Sequence, residues 1–246
     1  MKLFDGYNRK ARIYPAVIAL LPAIWTCYPL LRGSWSWETS SLGALCLACV
    51  LFLMATLARA RGKATEVRLR VVWGDWPTTI MLRHRDLHID KVTKVRYHEK
   101  LVAVTGGKAL PLPHQETADE SAADEAYRSV TKAFLEHRRG PQYQLIQDEN
   151  AWYGFRRNLR GLKWPAVWLA AILCIATAGI WLKQTQPPLA DLFDRILAAP
   201  LWPAVAGADL LFALCLATIV TDNFVWQAGV EYAEALFRSL DAPQNS

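Results

Sequence analysis

The sequence predicts an all-α membrane protein. Four transmembrane helices form two hairpins, and a mostly helical cytoplasmic domain is inserted between them. Three observations lead there. The hydrophobic residues, 53% of the 246, are segregated into four blocks, and the charged 20% fill the gaps between them. A soluble domain mixes the two at short period around one core, whereas segregation on the scale of a span points to lipid. Lys and Arg are shared unequally among the gaps. All five cysteines (Cys27, Cys46, Cys49, Cys174 and Cys215) lie in the apolar blocks, and all five histidines (His84, His88, His98, His114 and His137) lie in the charged middle. That layout gives no disulfide framework and no soluble zinc site built on cysteine. Cys46-x-x-Cys49 has the spacing of a redox pair, but it sits mid-span without a nearby histidine and reads as two small apolar residues.

The first span runs from about Ile13 to Leu31, with Pro15, Pro22 and Pro29 recurring every seven residues. Membrane helices tolerate proline, but three should bend this one. Its apolar stretch exceeds the h-region of a signal peptide, and no small-x-small cleavage site follows before Arg32, so it reads as a retained span. The second span, Leu42 to Ala58, has 17 residues and is near the minimum for a crossing. The third runs from Trp164 to Leu182 and the fourth from Leu201 to Val220.

Orientation follows from the loops. Residues 1–12 carry four Lys/Arg, the loop Arg32–Ser41 one, the middle region 59–163 twenty, and the loop 183–200 two. Both termini and the middle region are therefore expected in the cytoplasm of a bacterial inner membrane. Trp35, Trp37, Trp181 and Trp202 fall at the outer ends of the spans and Trp164 at an inner end, as in an aromatic belt. In the outer loop, Leu189, Leu192, Phe193, Ile196 and Leu197 share one helical face opposite Asp191, Asp194 and Arg195. This predicts a short helix on the membrane surface, an inert connector or a lid. The expected divisions are 1–58 (tail and first hairpin), 59–163 (basic cytoplasmic domain), 164–220 (second hairpin) and 221–246 (acidic helical tail).

Within the middle region, Glu66–Trp73 alternates apolar and charged residues and reads either as a strand or as an extension of the second span; Gly74-Asp75-Trp76-Pro77 breaks it. Thr78 or Thr79 is expected to cap a short helix through Arg85. Asp90 caps a helix from Lys91 to Val104 that Gly106-Gly107 ends. Lys108–Thr117, with two prolines, reads as a loop. A helix from Glu120 to Arg138 keeps 3,4 apolar spacing through Ala123, Tyr127, Val130 and Phe134. A further segment, Tyr143–Leu159, leads to the third span. The tail from Asp222 carries four acids and one arginine, and either docks on the basic region or stays solvated.

Several constellations bear on chemistry. Arg156, Arg157, Arg160 and Lys163 lie just inside the membrane. They read as a topology signal touching anionic lipid headgroups, or, with Arg96 (and Arg83 and Arg85), as a binding site for a phosphate-bearing, nucleotide-like anion. His84-x-Asp86-x-His88-x-Asp90 spaces two histidines at i and i+4, but lacks the glutamate of a zinc-protease motif and gives no metal site. No serine elbow, P-loop or kinase signature is present, and nothing points to nucleic acid. Asp209 is the one acid inside a span. It reads as pore-lining, or as hydrogen-bonded to a neighbour such as Thr26 or Thr177.

The string Trp76-Pro77-Thr78-Thr79 … Arg96-Tyr97-His98 … Glu149-Asn150 … Tyr153-Gly154-Phe155-Arg156-Arg157-Asn158-Leu159-x-Gly161-Leu162-Lys163 resembles an uncharacterised family of bacterial four-span inner-membrane proteins, over roughly residues 70–165. The Tyr-Gly-Phe-Arg-Arg-Asn-Leu run is the most specific part. The resemblance implies a fold class and no activity. In layout the chain is also similar to small multispan membrane effectors of bacterial antiviral defence. The first expectation is thus a non-enzymatic membrane effector or sensor, without cofactor. Its cytoplasmic domain would bind an anionic ligand or partner, and its spans, as a homo-oligomer, would gate or perturb the bilayer. The second is a membrane scaffold that recruits a soluble partner protein through the basic domain. The third is a membrane enzyme built on the His84/His88 region.

Overall fold

A computed structural model of the chain describes residues 6–31, 37–107, 109–185, 191–198 and 200–241. Among these, all regular structure is helical and no strand occurs. In chain order the elements are α1 (Gly6–Asn8), a π-helical turn (Arg9–Ile13), α2 (Tyr14–Leu31), α3 (Trp37–Trp73), α4 (Pro77–Ile80), α5 (Lys91–Val104), α6 (Pro113–Ala118), α7 (Glu120–His137), a 3-10 turn (Pro141–Tyr143), α8 (Gln144–Thr185), α9 (Leu192–Ala198), α10 (Leu201–Ile219) and α11 (Asp222–Arg238). Four segments, Gly6–Tyr28, Ser41–Ile80, Pro141–Thr185 and Leu201–Ile219, are helices long and apolar enough to cross a membrane.

Two of those helices far outrun a bilayer. α3 has 37 residues and α8 has 42. At 1.5 Å per residue they measure about 55 and 63 Å, against a hydrocarbon core of about 30 Å. The stretch Glu66–Trp73 is therefore the end of α3, and its alternation of Val and Arg lies on a helix. The segment after Tyr143 joins the third span without a break, passing through Pro165. α2 likewise continues as one helix through Pro15 and Pro22, both buried. Of the outer amphipathic segment, Leu192–Ala198 is helical with Phe193 and Leu197 exposed; Leu189 and Trp35 lie outside the described residues.

The chain divides into two compact units: Met1–Thr65 with Gly154–Phe224, and Glu66–Tyr153 with Val225–Ser246. The first unit is held by a small core of Ala19, Ala58, Leu159, Leu162, Ala166, Leu216 and Val220. Small residues set its spacing. Gly154, Asn158 and Gly161 share one face of α8. A Cβ on Gly161 would lie 2.6 Å from the Arg61 carbonyl carbon, and one on Gly62 would lie 1.8 Å from Asn158 Oδ1. Such small-residue crossings let membrane helices touch backbone to backbone.

The second unit has a larger core. Met81, Leu82, Tyr97, Leu101, Tyr127, Val130, Phe134 and Ile146 pack with Ala233, Leu236, Phe237 and Leu240 of the tail. The tail is therefore docked. Its Asp241 accepts hydrogen bonds from Arg96 (3.0 Å) and Lys100 (2.7 Å). The helices here start where their caps stand: Asp90 accepts from the Thr93 N–H at 2.8 Å and Asp119 from the Ala122 N–H at 2.9 Å. Positive φ at Gly106 and Gly107 ends α5. Three expectations fail. Neither Thr78 nor Thr79 caps α4, which follows Trp76 and starts at Pro77. Pro113–Ala118 is a helix, because Pro113 starts it and Gln115 Oε1 accepts from the Leu112 N–H at 2.9 Å. And α4 stops at Ile80, five residues short of Arg85, for a reason given below.

Replacing Gly161 by Ala is expected to lower stability by about 1–3 kcal/mol, since the clash is with backbone that cannot rotate away. Gly179, with nothing within 4 Å of its Cβ position, should accept Ala at no cost. Thermal unfolding of the full chain in detergent checks this; equal melting of the two variants would contradict it.

Candidate functional site

The expected anion site begins on α8. Pro15 lacks the N–H that would bond the Ala11 carbonyl in an α-helix. Asn158 Nδ2 supplies that bond at 2.6 Å and is itself buried. Turned around the helix from this glycine–asparagine face are the cations. Lys163 Nζ donates to the Ala217 carbonyl at 2.7 Å, in the last turn of α10, where carbonyls have no helical partner. Arg160 Nε donates to Asp222 Oδ1 at 2.8 Å. Arg156 Nη1 donates to the Phe224 carbonyl at 3.3 Å, with its guanidinium 5.0 Å over the Phe224 ring. Arg157 Nε donates to Asn158 Oδ1 at 3.3 Å. The structure thus gathers Arg156, Arg160 and Lys163 around the α10–α11 junction: Lys163 caps the last turn of α10, where the helix dipole favours a cation, and Arg156 and Arg160 bond residues in the first turn of α11. Arg96 belongs to the second unit and pairs with Asp241.

Asp209 is wholly buried. Its Oδ1 accepts from Trp25 Nε1 at 2.7 Å and its Oδ2 from Thr26 Oγ1 at 3.3 Å. The Trp25 ring meets Phe212 edge-on, with centroids 5.6 Å apart. Asp209 therefore ties α10 to α2. Thr177 plays no part, since its hydroxyl bonds the Leu173 and Cys174 carbonyls of its own helix. Trp25 is the partner the sequence concealed. Its signal is that an indole N–H within a span needs an acceptor, and the only acid in any span is Asp209.

The histidine motif lies in the second unit, on the turn after α4. His84 and Arg85 do not give their N–H groups to helical carbonyls. Both donate to the buried Glu116 of α6, at 2.7 and 3.1 Å. This is why α4 ends early and why His84 and His88 share no helix face. Tyr127 Oη (2.6 Å) and Arg85 Nη1 (2.9 Å) complete four bonds to the same carboxylate. The carbonyls of the turn are met from α5. Lys94 Nζ donates to the Arg83 carbonyl at 2.7 Å and also to that of Asp86, and His98 Nε2 donates to the Leu82 carbonyl at 2.8 Å. His84 Nε2 donates to the Pro111 carbonyl at 3.0 Å, and His88 Nδ1 bonds Asp86. Each histidine is thus committed separately. Among the described residues no three His, Cys, Asp or Glu side chains are placed to share a metal.

An ion-pair chain flanks the turn. Arg83 and Arg85 both reach Asp124, at 2.8 and 2.9 Å, and buried Asp75 accepts from Arg128 Nε and from the Trp76 N–H. The environment pushes Tyr127 well up, through burial and its bond to Glu116, and moves two groups widely downward. Burial works to raise Glu116, but its hydrogen bonds from Tyr127, His84 and Arg85 win and hold it at about 2. Burial pushes His98 down to about 4, with His84 and Lys94 adding in the same direction against the Leu82 carbonyl. The chemistry of this cluster is the fixing of a turn; no nucleophile faces a base across it.

No family model, curated protein or solved structure matches the chain.

Both lowered groups sit below their unfolded values, so the unfolded chain binds more protons and acid destabilises the unit. Stability should fall as pH drops from about 6.5 to about 4 through His98, and again below 4.5 toward 2 through Glu116. His98→Gln, which keeps a donor for Leu82, should flatten the first limb in thermal melts taken across pH. Asp209→Leu should cost about 1–3 kcal/mol by leaving the Trp25 N–H unpaired, and Asp209→Asn less. A leucine variant that melts like wild type would show that the Trp25 bond contributes nothing.

Proposed function

We propose that the protein is a multi-pass bacterial inner-membrane scaffold. Four spans anchor a folded helical domain on the cytoplasmic side, and that domain recruits a soluble partner protein. The observation that carries this reading is where the charges go. Lys163 caps the end of α10, Arg156 and Arg160 bond the first turn of α11, Arg96 holds the C-terminal tail, and Asp209 joins two spans. The groups on which an anion sensor or a pore would rely are occupied in holding the chain together. The basic gaps support cytoplasmic termini, and exposed cations such as Arg59, Arg61 and Lys63 are placed to meet anionic headgroups. A docked tail and a continuous core support a unit made to present a surface rather than to enclose a substrate.

The test is to express the full chain in bacteria. Membrane potential should be unchanged on induction, and a soluble protein should co-purify in stoichiometric amount. Depolarisation that Asp209→Asn abolishes would instead establish the gated-effector reading.

A further inference from the structure

The last two turns of α3 and the turn that follows them line a shallow cleft, built from Glu66, Val67, Arg70, Val71, Gly74 and Trp76, all of the second unit. On the helix Val67 and Val71 share a face, and Glu66 and Arg70 form the row beside them. Both valines are exposed, at 67% and 80%. Gly74 then takes a φ of 85°, in the left-handed region. The chain turns there, and the Arg70 guanidinium stands 3.9 Å over the Trp76 ring. The cleft has a volume of about 370 Å³, near the lower end of the range for ligand sites. Apolar side chains, an aromatic ring and one cation therefore meet in a small space.

Arg70 is held in place without being used up. Its Nε donates to Asp75 Oδ1 at 3.3 Å, and the stack on Trp76 sets the plane of the guanidinium. Asp75 also accepts from Arg128 Nε and stands 4.0 Å from Arg83 Nη2, so it offsets Arg70 only in part. Neither Nη1 nor Nη2 of Arg70 has a hydrogen-bond partner among the described residues, and the side chain is 40% exposed. Paired guanidinium donors of this kind suit a carboxylate or a phosphate. Glu66 decides between them. It lies one turn before Arg70 and accepts from Tyr153 Oη at 3.1 Å. Its negative charge opposes a doubly charged phosphate more than a carboxylate. The occupant is then small, apolar and singly charged, with its carboxylate close to its apolar group. In a protein the last residue of a chain combines the two on one Cα.

We propose that this cleft takes the C-terminal residue of a partner protein, its carboxylate on Nη1 and Nη2 of Arg70 and its apolar side chain against Val67, Val71 and Trp76. This rests on the scaffold reading and names the part of the partner that is held. The full-length protein in detergent is titrated with a dye-labelled peptide, Gly-Ser-Gly-Ser-Leu, and followed by fluorescence anisotropy. The peptide is used once as the free acid and once as the C-terminal amide. The acid should bind saturably, and the amide at least tenfold more weakly. Arg70→Gln should abolish that difference. Val71→Trp fills the cleft from an exposed position, so it should melt like wild type and still weaken acid binding at least tenfold. Equal binding of acid and amide by wild type would overturn the proposal. So would an acid preference that survives both substitutions. So would displacement of the labelled acid by an equal concentration of 4-methylpentanoate, which would give the cleft to a free small acid. Co-purification separates the two levels. A partner retained by the Val71→Trp chain leaves the scaffold standing and removes the cleft. Acid preference in a wild type that retains no partner keeps the cleft and removes the scaffold.

Discussion

Pro15 leaves the Ala11 carbonyl without its helical donor, and the first unit is arranged around meeting that need. Buried from water, as Ala11 is, an unpaired carbonyl is costly, so the donor has to come from the protein. It comes from Asn158, and a side chain as short as asparagine reaches only if the helices touch. Gly154 makes that touch, since a methyl there would lie 3.0 Å from the Ala11 Cβ, and Gly62 and Gly161 bring α3 just as close to α8. A proline on one helix therefore dictates an asparagine on another and glycines on both sides of it. The Tyr-Gly-Phe-Arg-Arg-Asn-Leu run carries this contact through Asn158 and, through Arg156, the bond to the Phe224 carbonyl at the start of α11.

The second unit solves the same kind of problem in water. Residues 81–88 leave the helix, and their polar backbone is taken up by side chains from two sides. Glu116 collects N–H groups; Lys94 and His98 supply the carbonyls. Burying a carboxylate, a lysine and a histidine is costly unless each is fully bonded, and here each is. The turn is thereby fixed in one conformation, with Arg83 and Arg85 aimed at Asp124.

The spans, the caps at Asp90, the glycine stop at 106–107 and the helix from Glu120 were legible because each rests on local signals: hydropathy, a capping side chain, a positive φ, a 3,4 period. The early end of α4 was not. Its cause is Glu116, about 30 positions away, and propensity carries no trace of a remote acceptor. Glu66–Trp73 was ambiguous because Val-Arg alternation fits a strand, while in a helix the same residues fall on an exposed seam and a packed face. At the candidate site the residue types were legible and their partners were not: Lys163 bonds the Ala217 carbonyl, Arg160 bonds Asp222 and Arg156 bonds the Phe224 carbonyl, all more than 50 positions away.

Cations beside an apolar helix can therefore carry two loads. A cation just inside the membrane orients the adjoining span, and the same cation can close a helix end that lipid and water both leave unsatisfied. On α8 the second load is taken up by Lys163, which closes the last turn of α10; Arg160 and Arg156 reach the first turn of α11 instead, where the dipole favours an anion and Asp222 supplies it, so Arg160 pairs with that carboxylate rather than with a helix end.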